Sequence, residues 1–238
     1  MLAITTFSPQ GYEQYGFRCV EGLSRHFPGK IVAYTEKDIP PVERVETRDF
    51  FSIPGVTEYL ERVKKHPGAD GNGPDGYDYR YNADAFCRKV FAQDAVFDED
   101  ELVFWFDSDC VILKAIPEEL LSNVCGGNAL AYMGRRGKLS YTETGWIGFS
   151  TKHPDFKKFR GNYLSYFTTG RIFGQLKGWH DCIAFDHARQ DVPARNISPQ
   201  GTGVQSVMQD TLLAPYVAHL KGNRKFSKIR VKKLLSTP

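Results

Sequence analysis

The sequence predicts a single α/β domain with a mixed, mainly parallel sheet flanked by helices. Three observations carry that expectation. Short β-type apolar runs alternate with segments of helical spacing, the pattern of strands joined by crossover helices. One run, LVFWF at residues 102–106, is apolar at every position, which marks a central strand covered on both faces. The 238 residues, 41% hydrophobic and 25% charged, suit one medium-sized domain with a real core, or a domain with a short tail.

Residues 2–7 (LAITTF) form a short buried strand ended by Ser8-Pro9. Over residues 12–27, Tyr12, Tyr15, Cys19, Leu23 and Phe27 recur every three or four positions, which predicts a helix. Gly29 suits its C-terminal cap. KIVAYT at residues 30–35 is a second strand, so the chain opens as a βαβ unit. Residues 36–47, polar and carrying prolines, read as a loop, and residues 56–65 as a short amphipathic helix. The stretch HPGADGNGPDGYD at residues 66–78 is dense in Gly, Pro and Asp; it is expected to hold no regular structure, as a mobile loop or a disordered insertion. Helical spacing returns over residues 83–97, with Asn82 as the cap and Phe86, Val90 and Phe91 on one side. Beyond the 102–106 strand, short apolar pieces at 111–113, 129–133 and 146–150 read as strands. Helices are expected over 155–167, with Phe156, Phe159 and Tyr163 inward, over 175–188, and over 205–213. These elements place a folded domain at residues 1–226 and a basic tail at residues 227–238.

Composition narrows the function. Lys and Arg number 31 and Asp and Glu 28, a net charge of +3, too mild for a dedicated nucleic-acid binder. No apolar run approaches the ~18 residues of a membrane span, and residues 1–10 lack a signal-peptide pattern, so a cytoplasmic protein is expected. The five cysteines are widely spaced with no C-x-x-C pair, which fits free thiols in a reducing compartment. A Walker A string, a G-x-G-x-x-G after the first strand and a G-x-S-x-G elbow are all missing.

The chemistry concentrates at Asp107-Ser108-Asp109, directly after LVFWF. In open α/β sheets ligands bind at the carboxyl ends of strands. Two carboxylates delivered there suit Mg²⁺ or Mn²⁺, which in turn bridge phosphate oxygens. A D-x-D tripeptide alone is also what a solvated strand end looks like. His180, Asp181, Asp186 and His187 suggest a second ligand set, but on one helix they would not share a face.

VFWFDSDCVI resembles the D-x-D strand of GT-A glycosyltransferases, the nucleotide-diphospho-sugar transferase fold. HLKGNRKF at residues 219–226 resembles the H-x-x-G-x-x-K motif of the glycogenin and lipopolysaccharide galactosyltransferase-like group, with Phe226 where that group usually has Pro. The resemblance implies Asp107, Asp109 and His219 around Mn²⁺ or Mg²⁺, Ser108 beside the donor, Lys225 on its diphosphate, and Gly222 permitting close backbone approach. Thr6, Ser8 and Glu36, at the ends of the first two strands, would meet base and ribose. Arg80, Asp84 and the pair Arg88-Lys89 would lie near the donor phosphates or sugar. Residues 143–149 (ETGWIGF) resemble the strand following the donor sugar, with Glu143 on sugar or acceptor and Gly145 close to the ligand. Around Trp179 the chain resembles a segment whose Asp, here Asp181, touches sugar hydroxyls; the Gln that should follow is Cys182.

The implied activity is metal-dependent transfer of a sugar from a UDP- or GDP-linked donor to a hydroxyl of a glycan, lipid-linked or protein acceptor. Retention is expected from the His219 motif; inversion would make Asp181 the base. Two alternatives stay open: a nucleotidyltransferase of related fold, although residues 4–16 lack its basic signature, and a non-catalytic sugar binder stacking Trp105, Trp146 or Trp179 on its ligand. The basic segment from Lys221 would grip the diphosphate, lie against an anionic membrane, or simply be solvated.

Overall fold

A computed structural model describes residues 1–136, 141–199 and 207–226. In chain order, β1 (Leu2–Phe7), α1 (Pro9–Gly11), a π-turn (Tyr12–Gly16) and α2 (Phe17–His26) lead to β2 (Lys30–Thr35) and β3 (Val45–Asp49). A 3-10 turn (Phe50–Ser52), α3 (Val56–Lys64), β4 (Asp70–Gly73), β5 (Gly76–Asn82) and α4 (Ala83–Asp94) follow. Then come β6 (Leu102–Phe106), β7 (Cys110–Ile112), α5 (Glu118–Asn123), β8 (Leu130–Met133) and β9 (Glu143–Ser150). The described chain closes with α6 (Phe156–Thr168), α7 (Arg171–Gln175), α8 (Asp181–Ala188), β10 (Ala194–Asn196) and β11 (Val217–His219), with 3-10 turns at Val207–Asp210 and Gly222–Phe226.

Seven of these strands form one sheet in the order β10–β8–β9–β6–β1–β2–β3. Its strands run parallel except β9, which pairs antiparallel with both β6 and β8. The sheet is therefore mixed and mainly parallel, as the sequence predicts. Strand β6 sits at its middle, and its alternate residues feed two cores. Val103 and Trp105 pack with α3, α4, α6 and α8; Phe104 and Phe106 pack with α2, α5 and the small β7–β11 ribbon. Burial on both faces is the physical reason for its unbroken apolarity.

Several expectations need correction. Residues 36–47 are not all loop, because β3 starts at Val45 and extends the sheet beside β2. As an edge strand reading VETRD it is mostly exposed, so its sequence carries no apolar alternation. Residues 66–78 are not unstructured: β4 and β5 form an antiparallel hairpin turning at Pro74-Asp75. The glycines that suggested disorder supply its geometry, since Gly71 and Gly76 hold φ of +85° and +102°, which L side chains resist. The helix over 175–188 is broken. Leu176 and His180 are extended, and Trp179 N donates to Arg80 O at 2.6 Å, so tertiary docking onto β5 replaces helical bonding. The helix over 12–27 starts earlier, with Ser8 accepting from Gly11 N, and contains the π-turn. The 146–150 strand begins at Glu143, and α4 places Phe86 only half-buried. Of residues 205–213, those described carry only the 3-10 turn; the basic tail 227–238 lies outside the described residues. Among the described residues no helix is long and apolar enough to cross a membrane.

Phe149, fully buried on β9, packs against Phe97 and Phe156 edge-on and against Phe159 at a tilt, at centroid distances of 4.8, 6.2 and 6.0 Å. Phe149→Ala is expected to lower unfolding free energy by about 3–5 kcal/mol, read from the urea midpoint.

Candidate functional site

The site begins where β6 ends. Asp107 N donates to Gly145 O at 2.8 Å, and Cys110 N donates to Asp107 O at 2.9 Å, making a tight turn that aims Asp107, Ser108 and Asp109 outward. Strand β11 then pairs antiparallel with β7, setting His219 opposite Cys110, while Leu220 N donates to Asp109 O at 3.1 Å. This ribbon is what carries a distant histidine to the two aspartates. His219 Nε2 lies 2.8 Å from Asp109 Oδ1 and 3.6 Å from Asp107 Oδ2; Nδ1 lies 3.6 Å from Glu143 Oε1. The imidazole rests on Gly145, where an added Cβ would collide with the ring.

Beneath the aspartates α4 directs Lys89 into the interior. Its ammonium sits 2.8 Å from Asp107 Oδ1 and 2.8 Å from Asp181 Oδ2, and donates to Thr144 O at 2.8 Å. Trp105 Nε1 donates to Asp107 Oδ1 at 2.7 Å, and Thr144 Oγ1 donates to Asp181 Oδ2 at 2.5 Å. Burial by itself would lower the Lys89 pKa, but the two carboxylates overcome it and hold the group raised and charged. Asp181 shows the mirror effect: burial pushes its carboxyl up, and Lys89 and the Thr144 hydroxyl pull it below the usual range.

A second cluster balances the histidine. Glu143 pairs with Arg135 and Lys221 and accepts from Gly145 N at 3.1 Å. Against the upward push of burial, His219, Lys221 and Arg135 bring the Glu143 carboxyl down to about 2. Burial lowers His219, yet Asp109, Glu143 and Asp107 hold it above the ordinary imidazole value. Asp109 Oδ1 is buried without a hydrogen bond of acceptable angle among the described residues. Two carboxylates and an imidazole brought together in this way are the donor set of a hard divalent cation, so these residues fit Mn²⁺ or Mg²⁺. Donor atoms of Asp107, Glu143 and His219 also lie within 4.8 Å of one another, which makes Glu143 a further candidate ligand.

A cavity of about 440 Å³ opens on this cluster. Around it the structure gathers Thr6 and Ser8 from the end of β1, Glu36 after β2, Asp84 and Lys89 from α4, the triplet Asp107 to Asp109, and Lys225. Of the other sequence candidates Arg88 also lines it, whereas His219, Arg80, Asp181, Glu143, Gly145 and Gly222 do not. Arg80 is on the hairpin, not on the helix, and is paired with Asp78. Asp181 lies fully buried below, and Glu143 and Gly145 lie behind His219. Gly222, at φ +58°, opens the 3-10 turn that carries Lys225.

Arg88 bridges Glu36 at 2.5 Å and Asp84 at 3.2 Å at the cavity wall. Lys225 Nζ lies 4.2 Å from the Tyr15 ring centroid and 3.9 Å from Asp109 Oδ2, and Arg18 donates to Lys225 O. Phe226 packs edge-on against Tyr15. Sequence reasoning missed Tyr15 and the roles of Arg135 and Trp105 Nε1; each is set by a contact distant in the chain or by a core residue's one polar atom. Trp146 is wholly buried, Trp105 is 2% exposed at the cavity wall, and Trp179 is half-buried. The set His180, Asp181, Asp186 and His187 does not gather: His187 is exposed, and Asp186 accepts from Thr142 N and pairs with Arg189. The donor atoms of His180, Asp181 and Cys182 do lie within 4.8 Å, but Asp181 is committed to Lys89 and burial pushes the Cys182 thiol up to about 12.

No protein-family model matches the chain, and no curated protein matches it in sequence. Solved structures match in shape. The galactosyltransferase LgtC, in complex with donor and acceptor sugar analogues, matches at TM-score 0.56 and 10% identity, over 99% of this chain and 95% of that one. The bifunctional glycosyltransferase WbbM matches at TM-score 0.50 and 13% identity, over 83% of this chain and 38% of that one. The glycosyltransferase GlyE of Streptococcus pneumoniae TIGR4 gives TM-score 0.48 and 16% identity, over 84% of this chain and 46% of that one. The chain thus spans less than half the length of GlyE and WbbM. At such identities the likeness is one of fold, and the fold is GT-A.

Lys89→Met would leave Asp107 and Asp181 facing each other without a cation. It is expected to destabilise the domain by about 3–5 kcal/mol, read from urea unfolding. Gly145→Ala is expected to push the His219 ring aside and weaken Mn²⁺ binding about tenfold or more by calorimetry.

Proposed function

We propose that the chain is a metal-dependent glycosyltransferase that moves a sugar from a UDP- or GDP-linked donor to an acceptor hydroxyl. The observation that carries this reading is the convergence of Asp107, Asp109 and His219 beside a cavity lined by both aspartates and Lys225. The GT-A fold supports it. Ser8 and Glu36 at the strand ends would take base and ribose, with Arg88 of α4 paired to Glu36; Thr6 already donates its hydroxyl to Tyr34 O at 2.9 Å and offers only its oxygen as an acceptor. Lys225 would meet the diphosphate, as would Lys221 if it leaves Glu143. Asp107, Asp109 and His219 would hold Mn²⁺ or Mg²⁺. When bound, the cation supplies Lewis-acid neutralisation of the diphosphate oxygens.

In this reading Asp181 is a positioning residue. Fully buried and anchored by Lys89 and Thr144, it has no open path to an acceptor hydroxyl, and Glu143 is similarly tied by Lys221 and Arg135. That favours retention. The bond from the anomeric carbon to the phosphate oxygen breaks, the bond to the acceptor oxygen forms on the same face, and the departing diphosphate oxygen takes the acceptor's proton. The five free cysteines, four of them buried, fit a cytoplasmic, reducing setting. The tail 227–238 is proposed to lie against an anionic surface or the diphosphate.

Calorimetric titration with UDP and GDP, with and without Mn²⁺, tests the proposal. Metal-dependent binding of one nucleotide is expected, weakened about tenfold or more in Asp109→Ala and in His219→Ala. Slow hydrolysis of the matching nucleotide sugar would separate an enzyme from a binding protein. Failure of both nucleotides to bind with metal present would sink the reading.

A further inference from the structure

Strand β5 reads GYDYRYN and carries three tyrosines, Tyr77, Tyr79 and Tyr81. They are 64%, 59% and 37% exposed, and Tyr141 nearby is 38% exposed. These four make up most of the six large apolar side chains exposed among the described residues. A concentration of bare rings on one small element marks a binding surface, because a hairpin gains nothing in stability by holding them in water.

The aromatic face is continuous with the proposed donor site. Tyr81 meets Trp179 at a centroid distance of 5.2 Å. Tyr79 and Tyr141 approach the His180 ring at 6.2 and 5.1 Å, and Phe86 approaches it from the other side at 5.7 Å. Phe86 is itself part of the cavity wall beside Asp107. His180 also precedes Asp181, which shares the Lys89 ammonium with Asp107. At this junction His180 is only 3% exposed, and its Nε2 has no hydrogen-bond partner among the described residues. A buried ring nitrogen left open between two aromatic surfaces is a polar anchor for an incoming group.

We propose that this tyrosine face is the acceptor subsite and that it takes a neutral saccharide chain. The proposal rests on the glycosyltransferase reading and names its acceptor class. A pyranose has a face of C–H groups that stacks on an aromatic ring and a rim of hydroxyls that bonds phenolic oxygens, and tyrosine offers both in one side chain. The hairpin carries Asp70, Asp75 and Asp78 against Arg80, a net charge of −2 that repels a phosphorylated or acidic chain. A hollow of about 240 Å³ between the hairpin glycines and Trp179 gives room for a further sugar unit. A lipid tail would call for aliphatic side chains, and the exposed groups here are tyrosines.

The test is binding of the purified chain, with Mn²⁺ and the nucleoside diphosphate present, to an array of neutral and acidic glycans, followed by calorimetry on the best neutral oligosaccharide. Neutral glycans are expected to bind. Tyr79→Ala and Tyr141→Ala should each weaken that binding about tenfold, while Tyr79→Phe, which keeps the ring, should stay within about threefold of wild type. Both positions are exposed, and circular dichroism with thermal melting verifies that the variants fold. Equal glycan affinity in the alanine variants, no glycan bound by the wild-type chain, or tyrosine-dependent adsorption to phosphatidylcholine vesicles in place of glycans would each overturn the proposal. The diphosphate titration on the same samples separates the two readings. Tyrosine-dependent glycan binding without diphosphate binding would remove the transferase and keep the saccharide face. The reverse result would remove only the face.

Discussion

Lys89 is the keystone of the molecule. Its ammonium lies in the interior between the carboxylates of Asp107 and Asp181, with the Thr144 carbonyl as a third partner. Removing such a cation from water costs several kcal/mol, and only close, well-directed anions offset that penalty. The arrangement therefore demands that α4, β6, β9 and α8 meet at one point. It also fixes the orientation of Asp107: Lys89 and Trp105 Nε1 share Oδ1, which leaves Oδ2 turned toward His219. A structural ion pair and a candidate metal ligand are two sides of one carboxylate.

Charge is balanced around that point in two linked groups. Below, Lys89 answers Asp107 and Asp181. Beside it, Arg135 and Lys221 answer Glu143, and His219 faces Asp109. Glu143, Asp181 and Asp109 are each held low by a named cation, against burial that works the other way. A cation entering between Asp107, Asp109 and His219 would displace the proton that the carboxylates hold on the imidazole. Backbone geometry underlies the same site. The β7–β11 ribbon sets the position of His219 along the chain, and Gly145 leaves the space into which its ring fits.

The hairpin shows how one composition can serve two ends. Its glycines look like punctuation in the sequence, and in the fold they permit the positive φ angles of a tight antiparallel pair. The tyrosines that follow them stand on β5, tied to the loop before α8 by the bond from Trp179 N to Arg80 O. The broken helix and the ordered hairpin are thus one feature. Each element departs from its local preference because it docks on the other.

The amino-acid sequence was sufficient for the α/β class and for the central place of LVFWF, because unbroken apolarity is a local signal; its short motifs also singled out Asp107, Asp109, His219 and Lys225, which the fold brings together. It was also sufficient for the cap at Asn82, whose side chain does accept from Ala85 N. It misjudged β3, the hairpin and the 175–188 segment, whose backbone bonds are made to partners far along the chain. It set Asp181 and Glu143 at the reacting sugar, where the folded chain makes them counter-ions to Lys89, Lys221 and Arg135. No pattern within one segment specifies which charges will share a low-dielectric interior. Packing of the sheet's two faces brings those charges together, and pairing across the fold then sets what each can do.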